Sequence, residues 1–233
     1  MIILKVKCLA VDVDGTITED GGLIDLNAAF ALRWMENLGI KVILVSGRSV
    51  WEVFSLAIYL GTTRVVVCEN GGVIAFSPID ILLLADKYQS LIAYECLSKK
   101  IDNLKLKLVF PRFTEVVLER TFDINYAKKI LIEEGLPIII NDSKYAYHLT
   151  HKDVNKGRGL IIALKYLKIE PESCIAIGDS ETDIPMFKVC GYSIALGNSS
   201  DSVKVEASYS VPLGYGKGLV SAINHIAENF LSI

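Results

Sequence analysis

Two carboxylates lie two residues apart at the end of the first apolar run, in the stretch Asp12-Val13-Asp14-Gly15-Thr16. Residues two apart on a strand point to the same side, so both side chains are expected to converge where the strand ends. Adjacent carboxylates repel, and one pKa should rise unless a cation lies between them. Gly15 allows a sharp turn whose N–H groups can face an anion. The alternative is an acidic turn without chemistry.

A second acidic group occupies residues 178–183, with the sequence GDSETD, after another short apolar run. Asp179 and Asp183 are four residues apart, which is about one turn if a helix begins there. Open α/β sheets bind ligands beyond the carboxyl ends of their strands, so we expect these acids to lie near Asp12. Oxygen ligands from separate strand ends suit a hard cation such as Mg²⁺. A loop whose acids only cap the next helix is the alternative.

Two further stretches supply groups that can bind phosphate. Ser46, Gly47 and Arg48 follow the second apolar run and precede a helical stretch that opens with an S-x-x-E capping box at Ser49. A hydroxyl and backbone N–H groups at a helix N-terminus form an anion site. Lys156 precedes another helical stretch, and its ammonium can contact a phosphoryl oxygen or an aspartate. Each of these residues, taken alone, is equally typical of a turn or of the surface.

The elements around these residues alternate between strand and helix. Leu26, Phe30, Trp34 and Leu38 recur every four residues, as one face of a helix does. The order β-α-β-α-β in the first 70 residues, and its return after residue 152, predict an α/β fold with a parallel sheet and helices on both faces. The strands are predicted at 7–13, 42–45, 65–68, 104–109, 116–119, 137–140, 145–149, 174–177 and 193–195, with another ending at 211. The helices are predicted at 25–38, 49–60, 125–134, 159–167, 185–189 and 219–230.

The middle of the chain differs, because several predicted strands there accompany a single predicted helix. That pattern is typical of an α+β module. We therefore predict an insert at 81–152 within a core formed by 1–80 and 153–233.

Composition excludes several classes of function. The 233 residues are 52% apolar and 22% charged, which excludes a disordered chain. A net charge of −3 argues against nucleic-acid binding. No apolar run reaches the ~18 residues of a membrane span, and residues 1–15 favour a core strand over a signal peptide. Five cysteines without C-x-x-C spacing predict reduced thiols in a cytoplasmic protein.

The chemistry-bearing stretches, taken in order, resemble the motifs of the haloacid dehalogenase (HAD) superfamily of phosphatases. They are DVDGT at 12–16, Ser46 in VSGR, Lys156 and GDSETD at 178–183, and together they cover the full core. The predicted insert is similar to the cap domain of the branch with Cof-type sugar phosphatases and archaeal-type phosphoglycolate phosphatases. Glu69-Asn70-Gly71-Gly72 also resembles that branch's motif before the cap. The short chain is closer to the compact phosphoglycolate phosphatase type.

This resemblance implies a Mg²⁺-dependent phosphomonoester hydrolase with an aspartyl-phosphate intermediate. Asp12 would be the nucleophile. Asp14 would protonate the leaving group and then activate water. Mg²⁺ would bind the Asp12 carboxylate, the Asp14 backbone carbonyl, Asp179, and Asp183 directly or through water.

The same resemblance assigns the substrate contacts. Ser46, Gly47 and Lys156 would hold the phosphoryl group, and Arg48 and Asn70 would lie at the junction of core and cap. The cap would close over the site and contact the leaving group. Its candidate contact residues are Arg112, Glu115, Glu119, Arg120 and His148.

The expected substrate is a small phosphorylated metabolite, with 2-phosphoglycolate first, and the expected assembly is a monomer or homodimer. One alternative is a broad-specificity Cof-type sugar-phosphate phosphatase. A phosphotransferase or mutase is a second, and it would need an acceptor pocket in the cap. A non-catalytic phospho-acceptor module is a third, although receiver domains of that kind are usually ~120 residues with no need of a lid.

Overall fold

The computed structural model describes residues 5–143 and 145–231. Residues 1–4 of the N-terminal stretch predicted as a core strand lie outside the described residues. The described strands are β1 Cys8–Val11, β2 Lys41–Val45, β3 Val66–Cys68, β4 Val73–Ala75, β5 Ile81–Leu83, β6 Val116–Leu118, β7 Ile138–Asp142, β8 Tyr147–His151, β9 Cys174–Gly178, β10 Tyr192–Ala195 and β11 Tyr209–Ser210. The described helices are α1 Leu26–Asn37, α2 Val50–Leu60, α3 Lys87–Ser98, α4 Ile124–Glu133, α5 Lys156–Leu167, α6 Ile184–Phe187, α7 Asp201–Lys204 and α8 Tyr215–Phe230.

A sheet with the strand order β11-β10-β9-β1-β2-β3-β4-β5 forms the larger part of the molecule. Strand β1 lies at its centre and runs parallel to both β2 and β9, with Val11 opposite Leu44 on one side and Ile177 on the other. Only β4 and β5 pair antiparallel to their neighbours in this sheet. The carboxyl ends of β1, β2 and β9 therefore meet at one edge, and the predicted α/β class is confirmed.

Both faces of this sheet are covered by helices, which explains why its strands are apolar throughout. Along β1, Leu9 and Val11 face a core that includes Leu32 of α1 and Ile223 of α8. The alternate residues face a second core, which contains Leu160 of α5 and Met186 of α6. A single polar residue in β1 would thus be buried on either face.

A second sheet, with the order β6-β8-β7, is antiparallel throughout. One of its faces packs on α3 and α4, with Leu118 and Leu149 buried against Leu97 and Ile130. Helix α3 was not predicted, because its buried positions Ser90, Ala93 and Leu97 give only a weak apolar period. Its N-cap Asp86, whose carboxylate accepts from the N–H of Tyr88, was the available sequence signal. Helix α3 is therefore held by a narrow contact through these three buried side chains.

The strand predicted at 104–109 is wrong. The chain there makes only an isolated bridge from Leu106 to Leu118, with backbone hydrogen bonds at Lys107 and Lys105. Leu108 is 97% exposed, so continuing the pairing would bury no apolar side chain at that position. The alternating apolar residues at 104–110 therefore have the sequence pattern of a strand, but the chain there does not form one.

Strand β5 lies inside the segment 81–152 that the sequence assigns to an insert, yet it pairs with β4 in the larger sheet. The division into 1–80, 81–152 and 153–233 stays a prediction.

The apolar stripe of α1 faces outward. Leu26 and Phe30 are 81% and 73% exposed, whereas the side chains that face the sheet are Ala28, Ala31, Leu32 and Met35. The two alanines on the inner face let the helix approach closely. The four-residue repeat predicted the helix correctly, but Leu26, Phe30 and Leu38 are exposed, whereas Trp34 packs against the core.

Among the residues that the structure describes, no helix combines the length and the apolar character needed to cross a bilayer.

Candidate active site

The residues predicted to do chemistry follow neighbouring strands at the carboxyl edge of the larger sheet. Asp12 follows β1, and its backbone N–H donates to the carbonyl of Ile177 in β9 at 3.0 Å. Ser46 follows β2, and its N–H donates to the carbonyl of Val67 in β3 at 2.8 Å. Asp179 follows β9 directly. Strand order alone therefore places one polar group from each of three adjacent strands at this edge.

Lys156 lies between two aspartates in the buried part of this edge. Its Nζ donates to Oδ1 of Asp12 and to Oδ1 of Asp183, both at 2.6 Å. The three side chains are at most 5% exposed. Helix α5 begins at Lys156, three residues before the predicted start, because the side chain of Asn155 accepts from the N–H of Arg158 and caps the helix. The cap thereby fixes where the ammonium enters the site.

Burial and charge act against each other in this group. Burial raises the pKa of Asp12 well above its ordinary value; Lys156 opposes that shift, and the neighbouring carboxylates add to it. Burial would lower the pKa of Lys156, but the carboxylates of Asp12 and Asp183 outweigh it and raise that pKa. The ammonium therefore stays protonated at neutral pH, and it is shared between the two carboxylates.

Asp12, Asp179 and Asp183 each offer one ligand atom within 4.8 Å of the others, and all three are buried. A set of carboxylate oxygens suits a hard divalent cation. Both oxygens of Asp183 are engaged: Oδ1 accepts from Lys156, while Oδ2 accepts from the N–H groups of Asp179 and Ser180 and from the Ser180 hydroxyl, at 2.9–3.0 Å. Its carboxylate closes the loop 178–183 on itself.

Asp179 is oriented by residues from two other loops. Its Oδ1 accepts from the Thr16 hydroxyl at 3.4 Å, and its Oδ2 accepts from Nδ2 of Asn198 at 2.9 Å. Gly15 lies against the same carboxylate at φ +82°, and a Cβ there would meet Oδ2 at 2.6 Å. Only glycine fits this approach, which is the reason for its place in the motif.

Asn198 is a site residue that the sequence prediction missed. Its Nδ2 also donates to the carbonyl of Gly15 at 3.0 Å, and its Oδ1 accepts from the N–H of Tyr215. It therefore ties the loops after β1, β9 and β10 together. The available signal was its position just beyond β10, the strand next to β9, although Asn198-Ser199-Ser200 matches a glycosylation pattern in the sequence.

Replacing Asn198 is expected to weaken divalent-cation binding. Asn198→Ala leaves Asp179 without its 2.9 Å donor, and loss of such an orienting partner typically costs about 10–100-fold in metal affinity. Calorimetric titration with Mg²⁺ measures the change. Asn27→Ala, on the exposed surface of α1, is the matched control and should keep the wild-type affinity. Equal affinities for all three proteins would contradict this role.

Asp14 is not one of the three buried acids described above. Its carboxylate is 49% exposed and pairs with Arg48, whose Nε donates to Oδ2 at 2.8 Å and whose Nη2 donates to Oδ1 at 2.7 Å. Strand β1 ends at Val11, so the strand alternation behind the expectation that both carboxylates share one side does not extend to Asp14, and that expectation stays a prediction. The hydrogen bond from Arg48 to Asp14 raises the pKa of the guanidinium, which burial opposes.

Ser46, Gly47 and Asn70 pack together beside this pair. The Ser46 hydroxyl accepts from the N–H of Arg48 at 3.1 Å, and the Ser46 carbonyl accepts from the N–H of Asn70. A Cβ at Gly47 would lie 2.9 Å from Oδ1 of Asn70. Asn70 itself has φ +54°. The structure thus brings these four predicted residues into one contiguous group.

Three of the five candidate residues in the predicted insert reach this group. Nη1 of Arg112 donates to the carbonyl of Gly47 at 2.7 Å and pairs with Glu115 at 3.1 Å. Nδ1 of His148 lies 3.1 Å from the same carboxylate. Burial would raise the pKa of Glu115, but His148 and Arg112 together hold it below its ordinary value.

The other two candidates lie elsewhere. Glu119 pairs with Lys107 at 3.4 Å, and Arg120 pairs with Asp142 at 2.9 Å. Both pairs are on the antiparallel sheet and its turns, where Arg120 is 43% exposed. No described contact joins either residue to the group around Gly47.

Glu69 is a second residue that the prediction left without a role. Its carboxylate accepts from the N–H groups of Phe113 and Thr114 and from the Thr114 hydroxyl, at 2.8–3.1 Å. Burial raises the pKa of Glu69, with Glu115 adding to the effect. These bonds attach the segment carrying Arg112 to the larger sheet.

The fold and the site together indicate the class of protein to which this chain belongs: a mainly parallel sheet carries buried acids and a lysine at its carboxyl edge. A family model described as haloacid dehalogenase-like hydrolase matches residues 9–117 and 100–223. The chain belongs to this family, and the predicted resemblance is confirmed.

Individual relatives narrow the comparison. The chain is 45% identical to a protein of Nitrosopumilus maritimus named phosphoglycolate phosphatase, over 96% of this chain and 97% of the relative. It is 36% identical to one of the same name from Archaeoglobus fulgidus, over 95% and 97%. A solved structure from Thermoplasma acidophilum superposes with a TM-score of 0.86 at 26% identity, covering 94% of this chain and 97% of that one. A haloacid dehalogenase-like hydrolase from Bacteroides thetaiotaomicron shares the fold, with a TM-score of 0.78 at 22% identity over 95% and 100%.

Proposed function

We propose that this protein hydrolyses 2-phosphoglycolate to glycolate and phosphate. The observation that carries the substrate is the 45% identity, over nearly the whole of both chains, to a protein named for that activity. The shared ammonium of Lys156 and the three buried acids around it support the chemistry.

Asp12 is the proposed nucleophile. An oxygen of its carboxylate attacks phosphorus, the bond from phosphorus to the glycolate oxygen breaks, and an aspartyl-phosphate forms. The hydrogen bond from Lys156 at 2.6 Å fixes the rotation of the Asp12 carboxylate and offsets negative charge on the incoming phosphoryl group. Ser46, Gly47 and Lys156 are the proposed phosphoryl ligands.

Asp14 is the proposed general acid and base. It gives a proton to the departing glycolate oxygen, and it then takes a proton from the water that attacks the phosphorus of the aspartyl-phosphate. Its carboxylate is half exposed, so it can reach a substrate that enters from solvent. The product of the second step is inorganic phosphate, and Asp12 returns to its free form.

The buried acids also support a cation site. Asp12, Asp179 and the carbonyl of Asp14 would hold Mg²⁺, and Asp183 would contact it directly or through water. When bound, Mg²⁺ would offset the repulsion between a dianionic ester and these carboxylates.

Segment 81–152 is proposed as a cap that covers the site, with the contacts of Arg112 and Glu69 at the junction supporting that role. Asn70 and Arg48 are the proposed substrate-facing residues of the core there. A cytoplasmic monomer or homodimer that acts on small metabolites, without nucleic acid or membrane partners, stays the expectation. The five free cysteines of the chain are consistent with the cytoplasmic location.

The test is a phosphate-release assay on phosphoglycolate and a panel of about twenty other phosphate esters. We expect kcat/KM for phosphoglycolate to exceed that for hexose phosphates by at least about tenfold. EDTA should abolish release and added Mg²⁺ should restore it. A preference for a hexose phosphate would instead indicate a sugar phosphatase. Transfer of label to a second sugar would indicate a mutase, and a stable phosphoprotein would indicate a phospho-acceptor module.

A further inference from the structure

We propose that Arg48 is the residue that reads the carboxylate of the substrate, and that this carboxylate replaces Asp14 on the guanidinium. The inference rests on the proposed function and specifies its substrate class, which is a phosphate ester with a carboxylate close to the ester oxygen. It follows from the pairing of Arg48 with the proposed acid–base residue in addition to its structural partner Glu52.

The backbone of Arg48 is fixed within the phosphate pocket. Its N–H donates to the Ser46 hydroxyl at 3.1 Å, and its carbonyl accepts from the N–H of Glu69 at 3.0 Å. The side chain therefore starts two residues from a proposed phosphoryl ligand. An ester held at Ser46 has its leaving group within reach of this arginine, since the side chain extends from the same loop.

The guanidinium is already arranged to bind a carboxylate. Nη1 donates to Oε1 of Glu52 at 3.0 Å, and Glu52 is in turn fixed by the capping box with Ser49. Nε and Nη2 together form the two-pronged contact with Asp14. A planar fork of this kind matches any carboxylate, so the carboxylate of a substrate can accept from the same two donors.

Replacing the partner at this position costs little free energy because the pair is about half exposed. The side chains of Arg48 and Asp14 are 41% and 49% exposed, and ion pairs in that environment contribute little net free energy. The contact of Arg48 with Glu52 is separate from the exchange and keeps the guanidinium oriented. The substrate would thus replace a weak partner without moving the arginine.

Arg112 is the other arginine beside the pocket, and it is less suited to this role. Its side chain is 7% exposed, and Nη1 is committed to the carbonyl of Gly47 and to Glu115. Within residues 5–143 and 145–231 its Nε has no hydrogen-bond partner, but the atom is enclosed by protein. Arg48 is therefore the arginine of the two that an incoming ligand can contact.

Exchange would also connect substrate recognition to catalysis. While both oxygens of Asp14 accept from Arg48, they are engaged by the guanidinium rather than by a leaving group. A carboxylated ester removes that partner and frees Asp14, whereas an ester without a carboxylate leaves the pair intact. The preference for esters with a carboxylate over esters without one should therefore appear in kcat as well as in KM.

Two matched pairs of small molecules test the inference. Phosphoglycolate and ethyl phosphate differ in a carboxylate in place of a methyl group, as do the non-hydrolysable phosphonates 3-phosphonopropionate and propylphosphonate. For Arg48→Gln, we expect the ratio of kcat/KM values within the first pair to fall at least about 30-fold from the wild-type ratio, with part of the fall in kcat. The ratio of Kd values within the second pair should fall at least about tenfold.

Arg64→Gln is the control, because Arg64 is exposed in the turn before β3, at the opposite edge of the sheet. It should keep both wild-type ratios. If Arg48→Gln lowers the rates on both esters alike, or leaves both ratios unchanged, the inference is overturned. The phosphonate pair keeps its failure separate from that of the proposed function. A wild-type enzyme that hydrolyses hexose phosphates but not phosphoglycolate removes the proposed function, while the Kd ratios still decide whether Arg48 reads a carboxylate.

Discussion

Asp12→Asn is expected to lower kcat for phosphoglycolate by about 10⁵- to 10⁶-fold, the scale seen when a nucleophile is removed from a covalent mechanism. The amide is a poor nucleophile, so no acyl-phosphate can form at this position. Asparagine is close to isosteric with aspartate, and it still offers an oxygen to the ammonium of Lys156 at its 2.6 Å position. The substitution therefore removes the chemistry while retaining the shape of the site.

Single-turnover measurement with purified Asp12→Asn gives the rate, and circular dichroism checks that the variant is folded. Asp102→Asn is the control, since Asp102 is exposed in the turn after α3. It should turn over at the wild-type rate. Residual hydrolysis by Asp12→Asn at more than about 1% of the wild-type rate would rule out Asp12 as the nucleophile.

The part of the site that the sequence predicted well depends on strand ends. Short apolar runs followed at once by Asp12, Ser46 or Asp179 require only that parallel strands end at a common edge. Lys156 was predicted as a residue just before a helix, and its role came from the resemblance to the phosphatase superfamily. These are local signals, and the central position of β1 between β2 and β9 converts them into one site.

The parts that were missed depend on contacts between distant segments. The carboxylate of Glu69 binds the N–H groups of residues 113 and 114, more than forty positions away, and Asn198 binds the carbonyl of Gly15. Neither partner can be inferred from spacing. The strand predicted at 104–109 failed for a related reason, since its residues gain burial only if a neighbouring element covers them.

Periodicity alone was also a poor guide to the environment of two features that the sequence predicted, the apolar stripe of α1 and the second aspartate of the first motif. The stripe of Leu26 and Phe30 lies on the solvent side of α1, because Ala28 and Ala31 allow closer packing against the sheet. The strand alternation used to place Asp14 beside Asp12 stops at Val11, where β1 ends. In both cases the residues were correct, and tertiary packing decided which way they face.

Lys156→Met is expected to destabilise the protein by about 3–5 kcal/mol at neutral pH in EDTA, because it leaves the buried carboxylates of Asp12 and Asp183 without their common ammonium. For a chain of this size, that corresponds to a fall in Tm of roughly 6–20 °C. Methionine retains much of the apolar stem, so the change is mainly one of charge. Urea unfolding in EDTA measures it.

The deficit should depend on pH in a defined direction. Burial raises the pKa of Asp12 even with Lys156 present, and removing the ammonium removes the electrostatic attraction that opposes this rise. An acid whose pKa is higher in the folded state than in the unfolded state costs stability as pH rises through the folded pKa. The difference between Lys156→Met and wild type should therefore be smallest near pH 4 and should grow toward pH 8.

Lys188→Met is the matched control, because Lys188 pairs with Glu206 at 3.1 Å but is 63% exposed. Its loss should cost within about 1 kcal/mol and should vary little with pH. Mg²⁺ should narrow the deficit of Lys156→Met, since a cation that binds the folded state stabilises it by mass action and replaces part of the missing positive charge. A Lys156→Met protein as stable as wild type in EDTA at pH 8 would show that the ammonium does not hold these acids together, and the role of Lys156 would then be limited to the phosphoryl group.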